Sequence, residues 1–378
     1  MYIQLLIFIL AYCSYLVCKK NNILQNNIVR KNYIIFIMIL FIIQSGFRHL
    51  AVGDDTFAYY EMFEGIKHTS WNDVIRDFFS GSQTGIKDPG YNILQKSFAS
   101  IIPNFRFFLI AIAILFFTSL GKLFYKYTNS IQEILVAVAL YQCLYYSFMS
   151  ITGIRQTIAT SILLFAVPYL LDKKWLKGAI LIILAATQHK SALLFCGFAF
   201  LPYIKNSRLL LISAFIGFIP MLLFGGQIAE FFIEGTQFEQ YSNYLNQYEG
   251  AGAYSFMVFI LLLSACLFFQ NRHICMIGAY NYIFINAIAI ALFLTPLTMI
   301  NPSNMRIVQY YSIFALITLP LFCTVYNNKV NFNAYEIVFL VLAIYTVCFR
   351  HTEYGFFWQN MQLNSVYGFR GFFNDFSL

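Results

Sequence analysis

Long apolar runs fill most of this chain, and its charged and turn-forming residues gather between them. Twelve runs stand out, at 1–18, 32–47, 107–121, 131–149, 156–171, 175–188, 190–204, 208–224, 254–270, 275–295, 307–326 and 334–349. Crossing a hydrocarbon layer ~30 Å thick takes about 20 helical residues at ~1.5 Å each, so each run predicts a membrane-spanning helix or most of one. An even number of spans puts both ends of the chain on one side. The first run, Met1 to Cys18, has no basic leader and no small-residue cleavage motif before Lys19 and Lys20, and it is expected to stay as a helix rather than be removed. No stretch repeats another and no low-complexity linker interrupts the pattern, which predicts a single all-α integral membrane domain over residues 1–378.

Composition agrees with lipid as the solvent. Soluble domains carry about 25% charged residues; this chain has 11% charged and 60% apolar residues, with a mean hydropathy of +0.68. Aromatics at 19% suit lipid-facing Phe and interfacial Tyr belts. The formal charge of +8 comes from 24 Lys and Arg scattered between the apolar runs. They form no basic stripe, so anionic membrane lipids account for them and nucleic acid is not an expected partner. The eight cysteines lie in or beside apolar runs without a CxxC pair, which excludes a disulfide framework and a thiolate zinc site.

The charges also orient the chain. Lys19, Lys20, Arg30, Lys31, Lys122, Lys126, Lys173, Lys174, Lys177, Lys205, Arg208, Arg272 and Lys329 all fall in alternate connections, whereas the intervening short connections hold only Arg155, Lys190 and Arg306. The positive-inside rule puts the first set in the cytoplasm. Both termini then lie outside, with loops at about 48–106 and 225–254 and a tail at about 350–378. In the first loop Trp71, Val74, Ile75, Phe78 and Phe79 recur at helical spacing, which predicts a short amphipathic helix in the membrane interface. In the second, Phe238, Tyr241, Tyr244 and Tyr248 share a helical face, either as an interfacial belt or as a platform for stacking sugars.

Charged groups inside spans are informative because hydrocarbon penalises them by several kcal/mol. From Lys177 to His189 a helix rises only ~18 Å, so His189 and Lys190 are expected below the outer surface. Arg155, ~26 Å of helix from Asp172, is expected to dip inward as well. Such groups persist where they line a hydrated cavity or pair with one another. An outward-opening vestibule follows, with Arg48 and Arg306 at its rim. Guanidinium groups grip phosphate bidentately, so these arginines beside Asp54 and Asp55 suit a lipid diphosphate. Blander roles stay open: Arg155 and Arg306 as snorkelling side chains, His189 as a hydrogen-bonded turn residue, Asp54 and Asp55 as caps of a loop helix.

Phe47-Arg48, Val52-Gly53-Asp54-Asp55-Thr56, Tyr59-Tyr60, Asp88-Pro89-Gly90-Tyr91, Gly153-Ile154-Arg155-Gln156 with Ala159, Ser161 and Phe165, and His189-Lys190-Ser191-Ala192 follow one another over about half of the chain. In that order they resemble the bacterial polysaccharide polymerase family known as Wzy, in its EpsG-like branch. The resemblance implies a GT-C-like glycosyltransferase of about twelve transmembrane helices in the bacterial inner membrane. Such an enzyme joins undecaprenyl diphosphate-linked oligosaccharide repeat units, donor and acceptor alike, at the periplasmic face. It implies no nucleotide sugar, no cofactor and no essential metal, and it admits a chain-length regulator as partner. Arg155, His189 and Asp55 are then the catalytic candidates, with His189 or Asp55 as base. Arg48, Asp54, Gln156 and Lys190 are the substrate-binding candidates, joined by Arg306, Tyr241 and Tyr244, of which Arg306 is assigned on physical grounds rather than by motif.

A lipid-linked oligosaccharide flippase or proton-coupled transporter is the main rival. Transporters usually carry paired repeats and intramembrane acids, whereas Glu133 and Glu336 here fall at cytoplasmic ends of spans. A related O-antigen ligase and a glycan acyltransferase are further alternatives.

Overall fold

The structure, a computed structural model, describes residues 2–53, 55–80, 88–233, 253–327, 333–350, 353–362 and 372–373. Helices account for nearly all of them: α1 Tyr2–Lys20, α2 Asn27–Gly46, α3 Thr56–His68, α4 Trp71–Ser80, α5 Pro89–Ile101, α6 Phe105–Tyr127, α7 Ile131–Leu140, α8 Ile154–Leu171, α9 Trp175–Gln188 and α10 Ser207–Ile233. A π-helix, Tyr141–Thr152, continues α7, and a 3₁₀ helix, Lys190–Tyr203, follows α9. Further α-helices include Tyr254–Ile277, Asn281–Leu294, Met305–Ser312, Ala315–Asn327 and Ala334–Phe349.

Each of the twelve apolar runs falls on a helix or on a broken helical pair. Among the described residues eight helices are long and apolar enough to cross a bilayer, and a ninth joins them if Met305–Ser312 and Ala315–Asn327, bent by 46°, form one span. Trp175–Gln188, Lys190–Tyr203 and Ala334–Phe349 are apolar but shorter. Geometry lengthens one of these. The periodicity at 190–204 predicts an α-helix reaching ~21 Å, but the 3₁₀ winding rises ~2.0 Å per residue and carries its 14 residues to ~28 Å.

Contacts divide the chain into two compact units, Met1–Ala166 with Ile183–Lys190 and Tyr335–Leu378, and Val167–Ile182 with Ser191–Ala334. In the second, Phe195, Phe198, Phe314 and Phe284 stack in series with ring centroids 4.8 to 5.3 Å apart. Buried Asn286 donates to the carbonyls of Leu201 and Ile204 at the end of the 3₁₀ helix, where the Leu201 carbonyl also accepts from the Ile204 N–H.

The first unit has two distinct ends. At one, Lys19 and Tyr15 both donate to Glu336, at 2.6 and 2.7 Å. There too Arg30 donates to the carbonyls of Tyr125 and Thr128. Ser130 and Glu133 close the start of α7 beside them, Ser130 Oγ accepting from the Glu133 N–H and the Glu133 carboxylate accepting from the Asn129 N–H. At the other end the C-terminal turn of α2 meets the π-helix. Ser45 donates to the Ser150 carbonyl, and Gln44 and Gln142 pair side chain to side chain. The segment Glu353–Met361 is tied to this second end, where the Phe357 N–H donates to the Phe47 carbonyl. Helices α3, α4 and α5 belong to the connection on this side. The amphipathic helix expected around Trp71 is α4, with Val74 buried and Ile75 and Phe79 exposed.

Candidate functional site

Asp88 is the hub of the second end. It stands immediately before α5, whose first residue is Pro89, a position where the fixed φ of proline favours helix entry. An aspartate there ordinarily accepts the free N–H groups of its own helix, which is worth about 1 kcal/mol. Asp88 makes no such bond. Its carboxylate instead gathers three groups from other elements. Oδ2 accepts from Arg155 Nη1 at 2.8 Å and lies 3.3 Å from His189 Nδ1, while Oδ1 accepts from the Lys190 backbone N–H at 3.1 Å. The starts of α5, of α8 and of the 3₁₀ helix are thereby held by one side chain that is only 2% exposed.

Burial opposes ionisation of Asp88, but the bond and charge of His189, the charge of Arg155 and the Lys190 N–H outweigh it and hold the carboxyl below its ordinary value. The sign of the resulting pH dependence follows. A carboxyl lowered on folding stabilises the fold above its unfolded value of about 3.9 and loses that contribution as pH falls through its folded value. The melting temperature of the wild type is expected to drop more steeply below about pH 4 than that of Asp88→Asn, the two meeting at the acid end. Parallel curves would remove Asp88 as the source.

Aromatic groups complete the surroundings. Tyr59 from α3 lies with its hydroxyl 3.4 Å from Arg155 Nε and its ring 5.7 Å from the guanidinium carbon. Tyr91, wholly buried, meets Tyr59 edge to face and accepts from Gln95 at 3.0 Å. The glycine between Pro89 and Tyr91 has a steric reason: a Cβ on Gly90 would lie 2.6 Å from the Thr187 backbone oxygen and side chain. Only a residue without Cβ lets the start of α5 approach the end of α9 closely enough for Asp88 to reach His189.

The model of the EpsG family matches residues 31–363. The chain belongs to the EpsG family. A Wzy-type polymerase is a consistent reading of that family, and no curated protein and no solved structure matches the chain.

In this EpsG-family protein the predicted candidates part into groups. Arg155 and His189, from distant stretches of sequence, meet around Asp88 through their side chains and Lys190 through its backbone N–H, whereas the sequence alone assigns Asp88 no role. Gln156 is buried on the first turn of α8. Arg48 is 4% exposed and donates to the carbonyls of Ser45 at 2.6 Å and Ile151 at 3.1 Å, joining α2 to the end of the π-helix. Burial lowers its guanidinium to about 10, so it remains charged at neutral pH. Thr56 donates to the same Ile151 carbonyl and to Val52. Gly53 holds a φ of +92°, and a Cβ there would lie 2.2 Å from Ile151. The Phe47–Thr56 stretch is thus a clamp on the π-helix. Asp55 occupies the cap position of α3 without a side-chain cap bond. Arg306, half-buried, stands in the first turn of Met305–Ser312 in the second unit. Asp54, Tyr241 and Tyr244 lie outside the described residues. Among the described residues no cluster of His, Cys, Asp and Glu has the makings of a metal site.

Proposed function

We propose that this chain is an O-antigen or exopolysaccharide polymerase of the GT-C type. It joins undecaprenyl diphosphate-linked oligosaccharide repeat units at the periplasmic face of the bacterial inner membrane, within one domain of twelve spans and without a metal. The observation that carries the reading is the Asp88–Arg155–His189 cluster. It lies at the end of the first unit opposite Lys19 and Arg30, the end that the positive-inside rule turns outward.

The acceptor hydroxyl of one lipid-linked unit attacks the anomeric carbon of the growing glycan. A new C–O bond forms, the bond to the lipid diphosphate breaks, and diphosphate leaves with the electron pair. With Nδ1–H turned to Asp88, His189 keeps Nε2 as the acceptor for the hydroxyl proton, and the carboxylate then steadies the imidazolium. Arg155 and the Lys190 ammonium meet the charge that grows on the diphosphate. His189 is preferred to Asp55 as base because its Nδ1 lies 3.3 Å from the Asp88 carboxylate, which orients the ring and sets its tautomer.

Deletion in the host, read on a polysaccharide gel, tests the function. Single repeat units on the lipopolysaccharide core support a polymerase. Loss of all capping points to a ligase or flippase, and full ladders lacking a substituent to an acyltransferase. Within the polymerase reading, Gly90→Ala is expected to cut polymer yield about 10²-fold at unchanged abundance, because a displacement near 1 Å at the reacting groups has that effect. Normal ladders would show that the α5–α9 approach is not needed.

A further inference from the structure

Helix α3 presents a second face with polar side chains beside the one that bears Tyr59. Tyr60, Glu64 and Lys67 recur at the spacing that aligns side chains along one side of a helix. With Asn104, Phe105 and Arg106 at the entry to α6 they line a cleft of about 180 Å³. That is room for a group much larger than a water molecule, whose share of liquid volume is about 30 Å³.

The lining is mixed in a particular way. The rings of Tyr60 and Phe105 meet with centroids 5.8 Å apart. Lys67 Nζ and Glu64 Oε1 are 2.6 Å apart, with the two side chains 22% and 38% exposed, so a cationic donor and an anionic acceptor stand side by side at the cleft wall. Asn104 commits its Oδ1 to the Arg106 N–H, which leaves its NH₂ as the remaining polar group. The Arg106 guanidinium carbon lies 4.7 Å from the centre of the Phe357 ring.

We infer that this cleft binds a sugar residue of the repeat unit. Vicinal hydroxyls each donate and accept, which the adjacent ammonium and carboxylate match, and the C–H face of a pyranose needs an aromatic partner such as Tyr60. The Lys67 ammonium is already paired with Glu64, so a phosphate or anionic lipid headgroup would have to compete with that carboxylate for it. An acyl chain would strand the ionic pair. The cleft lies one residue along α3 from Tyr59, so a bound glycan would extend from the Asp88 cluster across the outer end of α6. The inference rests on the polymerase reading and adds the place where the glycan is recognised.

The test uses the full chain in nanodiscs and, as probe, the repeat-unit oligosaccharide released from its lipid by mild acid. Saturation-transfer NMR is expected to give signal with the wild type, Asp88→Asn and Tyr60→Phe, at least fivefold less with Glu64→Gln, and none with Tyr60→Ala. With the lipid-linked unit as substrate, Tyr60→Ala and Glu64→Gln are expected to raise KM about tenfold and to keep kcat within about twofold. Equal signal and equal KM in all variants overturn the sugar site and leave the polymerase reading standing. Displacement of the probe by glycerol phosphate overturns it in favour of a headgroup site. A wild type that forms no polymer fails the polymerase reading itself, which the binding measurement does not depend on.

Discussion

Asp88→Ala is expected to abolish polymer in cells where the protein still reaches the membrane. The variant takes one carboxylate from beneath two groups at once. His189 loses the acceptor that sets its tautomer, and Arg155 loses the counter-ion that lies 2.8 Å away. Removing one partner of a buried ion pair costs about 3–5 kcal/mol, and the 25% exposure of the Arg155 side chain puts this case near the lower bound. Asp88→Asn separates catalysis from folding. Its amide oxygen can still accept the Lys190 N–H, so the junction of α5 with the 3₁₀ helix is kept, but the charge is gone. Where an aspartate orients a catalytic histidine, that exchange lowers turnover by about 10⁴-fold. Asp88→Asn is therefore expected to be nearly as inactive as Asp88→Ala at higher abundance and melting temperature, measured by ladder intensity against protein level. Polymer near wild-type levels in Asp88→Asn would reduce Asp88 to a structural strut.

The helices were legible because a helix satisfies its own backbone in lipid, so hydropathy alone locates the eight long apolar ones among the described residues, while three of the twelve apolar runs form shorter helices. Arg155 and His189 were legible for the converse reason: a charge or an imidazole in so short a span needs a polar partner. The identity of that partner was not. Asp88 before Pro89 has the form of an ordinary helix cap, and only the tertiary structure reveals a carboxylate that ignores its own helix. A charge balance gives part of the missing signal, since two cations and a histidine expected at one depth call for a nearby acid, and the outer connection at 48–106 holds seven, Asp88 among them. Arg48 misled in the opposite direction. Its position at a helix end suggests a phosphate ligand, whereas the structure gives it the carbonyls of Ser45 and Ile151. Ile151 lies near the end of the π-helix, a winding that hydrophobic periodicity does not announce, so the need for a donor there was invisible.

Arg155→Lys carries the second large expectation, a loss of about 10²–10³-fold in turnover with little change in abundance. Lysine keeps the positive charge and can still pair with Asp88, but it cannot engage Asp88 and a diphosphate oxygen through separate N–H groups of one planar fork. The loss should fall mainly on kcat, because the charge that Arg155 opposes grows only as the glycosidic bond breaks. Arg155 that served only to anchor the start of α8 would give another pattern, with lower melting temperature and abundance, and normal turnover per molecule. Combining Arg155→Lys with Asp88→Asn decides how the two act. Residues working as one unit give a double variant hardly slower than the worse single one, whereas independent residues multiply their losses. The shared Oδ2 contact of Arg155 and His189 predicts the first outcome, and a product of the two separate losses would dissolve the cluster into unrelated parts.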